Sequence, residues 1–313
     1  MSSVEFQPRA QIFINPACIV KFYGAVITPE FTSSKDMWKI TSGKEIYSTF
    51  QFTMDFDSYY SSVNFYGNEI NLKSAYIRYG SSGLSTIGIN SYNINYMIFT
   101  DCGNALIIED GNIFITNIII HNCSNIGILC MIGSDINMNN HIIKCIIINI
   151  LKKGISIENK GELNINKCYF YNDNIAIFIR YSGSNINNND FIYNNIDVYN
   201  INNYNLRNEI HYNNFYNSNI NIYPSGLINN ITYNNFYLCL NYFINILRDN
   251  PPYYTVYADI NATNNYWSVF NINQYLADSE DDPRCPYHII YLPKLENPEM
   301  EAGIQKKSFN FNK

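Results

Sequence analysis

The sequence predicts an all-β fold, a single-stranded right-handed parallel β-helix (a solenoid) of about nine to eleven coils. Three observations predict it. A unit recurs with a period in the low twenties, its apolar alternations are in register from one unit to the next, and Asn or Gly turns separate them.

The segment from Glu162 to Ser184, ELNINKCYFYNDNIAIFIRYSGS, displays the unit. Apolar residues alternate at Leu163 and Ile165, at Cys168 and Phe170, and at Ile177 and Ile179, with Asn172 in a turn and Ser182-Gly183-Ser184 closing the repeat. No part has helical spacing, and each run is too short to bury a face alone. With Phe170 as reference, equivalent positions fall at Ile77, Phe99, Ile120, Ile143, Phe191, Phe215, Phe236 and Tyr266. In chain order the intervals are 22, 21, 23, 27, 21, 24, 21 and 30 residues.

Aligned units give two apolar columns: Leu106, Ile128, Ile155, Ile177, Ile196, Ile220, and Ile108, Cys130, Ile157, Ile179, Val198, Ile222. Beside them run two mixed columns: Ile107, Leu129, Ser156, Phe178, Asp197, Asn221, and Glu109, Met131, Glu158, Arg180, Tyr199, Tyr223. One face in, one face out at period two is a strand, repeated here coil after coil. A leucine-rich repeat would show a Leu-x-x-Leu-x-Leu frame and helical stretches, and neither is present.

The expected organisation has three parts. Residues 1–67 form an N-terminal cap with irregular first coils, 68–269 the β-helix proper, and 270–313 a C-terminal strap and tail. Within the helix, Asp101, Asn122, Asn172 and Asn217 each follow a reference position by two residues, with Asn194 shifted by one. Asn and Asp tolerate left-handed backbone and bond locally, which suits a tight repeated turn with a stacked Asn ladder. Insertions at Lys152-Lys153-Gly154 and over 247–254 are expected to project as loops.

The chain resembles the right-handed parallel β-helix repeat family, the broad pectate-lyase-like superfamily, over roughly residues 10–270. Asn264-Asn265-Tyr266-Trp267-Ser268 is similar to the Asn-Asn-Tyr-Trp-Gly that ends many such helices, with Ser268 in the place of Gly. Asp281-Asp282-Pro283 and Ile290-Tyr291-Leu292-Pro293 resemble the tail that follows it. The resemblance implies the fold and leaves function open among lyases, hydrolases, epimerases, tailspikes and non-catalytic surface proteins. The hydrolase combinations Asn-Thr-Asp, Asp-Asp and Gly-His-Gly are absent at the required spacing, as is the epimerase-like Asp-Pro-His. Trp267 is expected to close the C-terminal end of the core, with residues 283–293 alongside.

A formal charge of -6 argues against nucleic acid as partner. The longest apolar run, Cys145 to Leu151, is far shorter than the ~20 residues of a membrane span. The first residues lack the basic and apolar regions of a secretory signal, so no compartment is assigned. No cofactor is expected. Nor is a metal, because none of the eight cysteines forms a C-x-x-C pair or zinc-finger spacing with His. Cys102, Cys123, Cys145 and Cys168 read as small core hydrophobes, although cross-coil disulfides fit the allowed separation.

Catalytic signals are weak. Glu158, Arg180 and Asp197 are candidate catalytic residues on one outward face near Lys160, and Arg180, Tyr199 and Tyr223 are candidate binding residues. A solvated ion pair between stacked strands accounts for the first group better than catalysis does. His121 and His211 read as surface turn residues, and Asp101, Asp173 and Asp190 as turn formers. Against this stand 28 Tyr and 19 Phe, many Tyr at outward or turn positions such as Tyr171, Tyr193, Tyr212, Tyr216 and Tyr237. Tyr stacked on a sugar face with Asn bonding its hydroxyls is one reading, and aromatic ladders between strands the other. The function expected is a non-catalytic scaffold presenting a glycan or protein site on its sheet faces; the alternative is a polysaccharide-active lyase, hydrolase or epimerase.

Overall fold

The computed structural model describes residues 91–304 except 110, 132–139, 159–160, 202–207, 225–229, 247–258, 279–280 and 282–287. Before residue 91 it describes the nine strands between Ser3 and Ile87. The chain is a parallel β-solenoid. The described strands form three parallel sheets of twelve, eleven and eleven, so the first exceeds the nine to eleven coils expected. Successive strands of one sheet are three elements apart in sequence, because each coil adds one strand to each sheet.

The coil anatomy follows from where the chain must turn. From Ile98 to Tyr237 the strands of the second sheet are three residues long, as in Ile98–Thr100, Ile119–His121, Ile146–Ile148, Tyr169–Tyr171 and Asp190–Ile192. Each is bracketed by two residues at positive φ, five apart: 96 and 101, 117 and 122, 144 and 149, 167 and 172, 188 and 193, 212 and 217, 233 and 238. Such a left-handed residue reverses the pleat locally and makes a corner. Asp101, Asn122, Asn172 and Asn217 occupy it as expected, while in the shifted coil Tyr193 takes the corner and Asn194 turns inward.

Between the corners the middle residue of each short strand points inward. Those residues are Ile77, Phe99, Ile120, Ile147, Phe170, Phe191, Phe215, Phe236 and Trp267, all buried. Two reference positions are thereby corrected: Ile147 replaces Ile143, which lies in the first-sheet strand Asn140–Ile143, and Trp267 replaces Tyr266. From Phe170 the rings stack nearly parallel, with centroids 4.9 Å apart through Phe191, Phe215 and Phe236. Trp267 ends the stack 4.4 Å above Phe236.

The third sheet corrects the register of the later coils. Leu106, Ile128, Ile155 and Ile177 do stack, but Ile177 pairs with Val198 and Val198 with Ile222. Ile196 pairs with Ile175 and is only half-buried, so it leaves the stack predicted for it. The slip is two residues. It escapes an alternation argument because Ile196 and Val198 are two residues apart and both apolar, so either fits an inward position.

The reason lies in the start of the third-sheet strands from Ser82–Ile87 onward, where two successive residues point inward. Gly83, Ala105, Gly127, Gly154 and Ala176 fill the first of these positions, pressed against the next coil. A Cβ on Gly127 would lie 2.4 Å from the Gly154 carbonyl oxygen, and one on Gly154 2.6 Å from that of Ala176. Asp197 and Asn221 follow in the same slot.

The residues read as a strap include Leu276–Ala277, which pairs in the third sheet, and Ile289–Ile290, which pairs in the first. Leu295 bridges to Tyr266, and residues 299–304 then lie along the outward side of the second sheet. No described helix is long and apolar enough to cross a membrane.

Candidate functional site

The outward side of the third sheet brings together Lys153, Ser156, Glu158, Phe178, Arg180 and Tyr199 from three consecutive strands, Lys153–Glu158, Ile175–Arg180 and Ile196–Ile201. Register decides which of them touch. Glu158 pairs with Arg180 and Phe178 with Tyr199, while Tyr199 pairs in turn with Tyr223. Glu158 and Arg180 are therefore column neighbours, as the sequence indicates. Tyr199 belongs one column over, beside Phe178 rather than Arg180.

The charges on this side are arranged around Lys153. Its Nζ is 3.6 Å from Glu158 Oε1, 3.4 Å from Ser156 Oγ and 3.5 Å from the centroid of the Phe178 ring. Ser156 Oγ, fully buried beneath it, donates to Glu158 Oε1 at 3.2 Å. Burial pushes the Lys153 ammonium below its ordinary range, opposed by Glu158, with Arg180 and Lys152 pushing the same way as burial. Arg180 is exposed, lies 5.0 Å over the Tyr181 ring and donates from Nη2 to the Tyr181 hydroxyl at 3.5 Å. Tyr199 meets Phe178 edge-on at 5.6 Å.

Asp197 is not part of this group. It is fully buried in the slot beside the corner between the second and third sheets, and its assignment to the outward face is corrected accordingly. Its Oδ1 accepts from Asn194 Nδ2 and Ser218 Oγ, both at 2.8 Å, and its Oδ2 from Asn221 Nδ2 at 2.6 Å. Burial nonetheless pushes the carboxyl up to about 7, against those hydrogen bonds. Asp173, one coil earlier, accepts the Ile150 N–H at 2.8 Å through Oδ1 and leaves Oδ2 buried without a partner. Burial raises it well above the carboxylate range, and the charge of Asp197 adds to the shift. These two acids face the core and are closed to any substrate.

The remaining sequence candidates are dispersed. His121 and His211 lie in strands rather than turns, His121 with Nδ1 3.3 Å from Thr100 Oγ1. Burial lowers the His211 imidazole below its usual range. Asp190 sits in a second-sheet strand under the C-terminal segment, raised by burial. Lys160 lies outside the described residues, as do the side chain of Tyr223 and the whole 247–254 insertion. The outward tyrosines form ladders with each other: Tyr216 stacks on Tyr237 at 4.7 Å and Tyr212 on Tyr233 at 5.3 Å.

The six described cysteines are free, in two columns: Cys102, Cys123 and Cys239 at one corner, Cys145 and Cys168 at the other, with Cys130 in the third sheet. Burial pushes the Cys130 thiol up to about 12, and Cys168 likewise well above its ordinary range, so they stay protonated and inert. Among the described residues no three His, Cys, Asp or Glu converge as a metal site would require.

No protein-family model matches the chain, and no curated protein or solved structure is significantly similar to it. What the coordinates establish is a parallel β-helix scaffold.

Proposed function

We propose that this scaffold is a non-catalytic binding protein that holds an extended acidic glycan along the outward edge of the third sheet. The observation that carries the reading is local charge. Lys152 and Arg180 lie close enough to act on Lys153, which pairs with the carboxylate of Glu158, in a chain of net charge -6. A cationic spot on an otherwise acidic molecule gives an anion one local place to bind. A guanidinium matches a carboxylate in two-point geometry, Tyr181 places aromatic surface beside it, and Tyr199 stands one column over against Phe178. Successive coils repeat the presentation about every 4.8 Å, a row suited to a linear polymer.

The same geometry disfavours the enzyme reading. Cleaving a glycosidic bond by acid and base needs two carboxyl groups roughly 5–10 Å apart across the substrate. Here Glu158 is committed to Lys153 and Ser156, and Asp173 and Asp197 are buried. The test is a glycan array run beside a reducing-end assay on the same polymers. Binding to uronic-acid polymers without release of reducing ends is expected, and Arg180→Ala should weaken it about tenfold, one charged hydrogen bond's worth. Unchanged binding by the variant, or no binding by the wild type, would overturn the proposal, and release of reducing ends would favour the enzyme.

A further inference from the structure

Independently of the third sheet, the outward side of the second sheet is built to hold a polypeptide, and one lies on it. The segment 299–304 crosses several coils and is held by hydrogen bonds to its main chain. Asn235 pairs with Glu299 twice, Nδ2 donating to the carbonyl oxygen at 2.9 Å and Oδ1 accepting the N–H at 2.6 Å. Asn214 Nδ2 donates to the Ala302 carbonyl at 3.3 Å and Asn188 Nδ2 to the Glu301 carbonyl at 2.8 Å. The Gly303 N–H donates to the Tyr212 carbonyl at 2.7 Å, and the Ile304 N–H to Asp190 Oδ1 at 3.4 Å.

The track is preorganised by its own row of hydrogen bonds. Asn235 Nδ2 also donates to Asn214 Oδ1 at 2.8 Å, and Asn214 Nδ2 to Asp190 Oδ1 at 2.9 Å, across three coils. It reads backbone and one residue type. Gly303 has φ +74 and no room for a side chain, since a Cβ would fall 1.9 Å from Asn214 Nδ2 and 2.2 Å from Asp190 Oδ1. Ala302 beside it is buried, whereas Met300 and Glu301 project outward.

We propose that this row is a peptide-docking track, and that its occupant in trans is residues 299–304 of a second copy of the chain. The segment follows Leu295, which bridges to the last coil, after three residues, of which Glu296 and Asn297 are exposed. A second copy carries the same track, so exchange replaces every cis contact with an identical one and costs only the entropy of association. The track thereby links copies through a short C-terminal peptide in which Gly is obligatory.

The probe is a labelled synthetic peptide with the sequence of residues 296–304, added to the full chain. Wild type should bind it weakly, because its own segment competes. Gly303→Ala in the chain should expel that segment and raise peptide affinity about tenfold. The same substitution in the peptide should lower it about as much, and Asn235→Leu in the chain should abolish binding. Separately, wild-type chains carrying two different tags should form mixed dimers that excess peptide dissolves. A peptide that ignores the Gly303→Ala chain, or binding that survives Asn235→Leu, overturns the track. Should Gly303→Ala fail to fold, the wild-type mixing decides, and the absence of mixed dimers overturns the exchange.

Discussion

Replacing Asp197 by Asn isolates what the buried carboxyl costs. In the folded chain burial holds this group near 7 against an ordinary value of 3.8. Folding therefore binds a proton wherever the pH lies between those values, and stability is greatest below about 4, falls as pH rises toward about 7 and then levels. The gap corresponds to a loss on the order of 4 kcal/mol for this residue alone. Asp173 and Asp190 are raised too and act in the same direction. Asn keeps the acceptor that Asn194 and Ser218 use. Its amide would face Asn221 Nδ2, but the Asn221 Oδ1 is buried without a partner, so a flip of Asn221 turns the clash into a hydrogen bond. Asp197→Asn should thus stabilise the protein by a few kcal/mol near pH 8, have little effect near pH 4, and flatten the profile between. Urea midpoints at several pH values for both proteins measure it. A wild type whose stability is flat or rising from about pH 5 to about pH 8, or a variant with the wild-type slope, would refute the reasoning.

The core offers three further expectations. Ile177→Asp places a carboxyl where the residue is fully buried in a stack of aliphatic neighbours, and should cost more than about 4 kcal/mol, seen as loss of the cooperative urea transition. Phe215→Ala removes a ring stacked between two others at 4.9 Å and should cost about 3–5 kcal/mol by urea denaturation; a smaller loss would mean that the stack closes up around the cavity. Gly127→Ala drives a methyl into the Gly154 carbonyl and should cost about 1–3 kcal/mol in the same assay, whereas a neutral result would show that adjacent coils can spread.

What could be read from the sequence was whatever repeats with one face buried. The period, the inward aromatic column and the corner role of Asn172 and its equivalents follow from apolar spacing and turn chemistry. The slip after Ile177 did not follow, because Ile196 and Val198 are both apolar and two residues apart. The signal beside Asp197 is the small-residue column: 83, 105, 127, 154 and 176 hold Gly or Ala at intervals of 22, 22, 27 and 22 residues, and 197 follows 21 residues on. A residue type that marks close approach locates the slot better than hydrophobicity does. The five-residue spacing of the corners was also present, but Tyr, Lys and Leu occupy several of them, which hides it from an Asn search. The docking of residues 299–304 had no sequence signal, since it depends on backbone atoms meeting side chains from several coils.

The corners explain why a core that begins apolar ends in amides. Each inward corner residue presents an N–H that no sheet strand accepts, and a buried donor without a partner costs about 1–3 kcal/mol. In the later coils the following coil's side chain accepts it. Cys168 N–H goes to Asn189 Oδ1, Asn189 to Asn213, Asn213 to Asn234 and Asn234 to Asn265, all between 2.8 and 2.9 Å. At the opposite corner Ile150, Asp173 and Asn194 do the same through Asp173, Asn194 and Ser218. Earlier in the first column the acceptor is a sulfur, Cys145 N–H to Cys168 Sγ at 3.5 Å, and before that the column holds Ile118 and Met97. Aliphatic side chains fill a corner and leave the coil spacing to the sheets, whereas an amide ladder also fixes which residue stands above which. Asn265 then closes its column by donating to the Ile231 and Ala262 carbonyls at 2.6 and 2.7 Å, leaving no amide donor exposed to the apolar cap of Trp267. Register is thus most tightly specified in the coils nearest the C-terminal end, where the aromatic stack has to stop in one place.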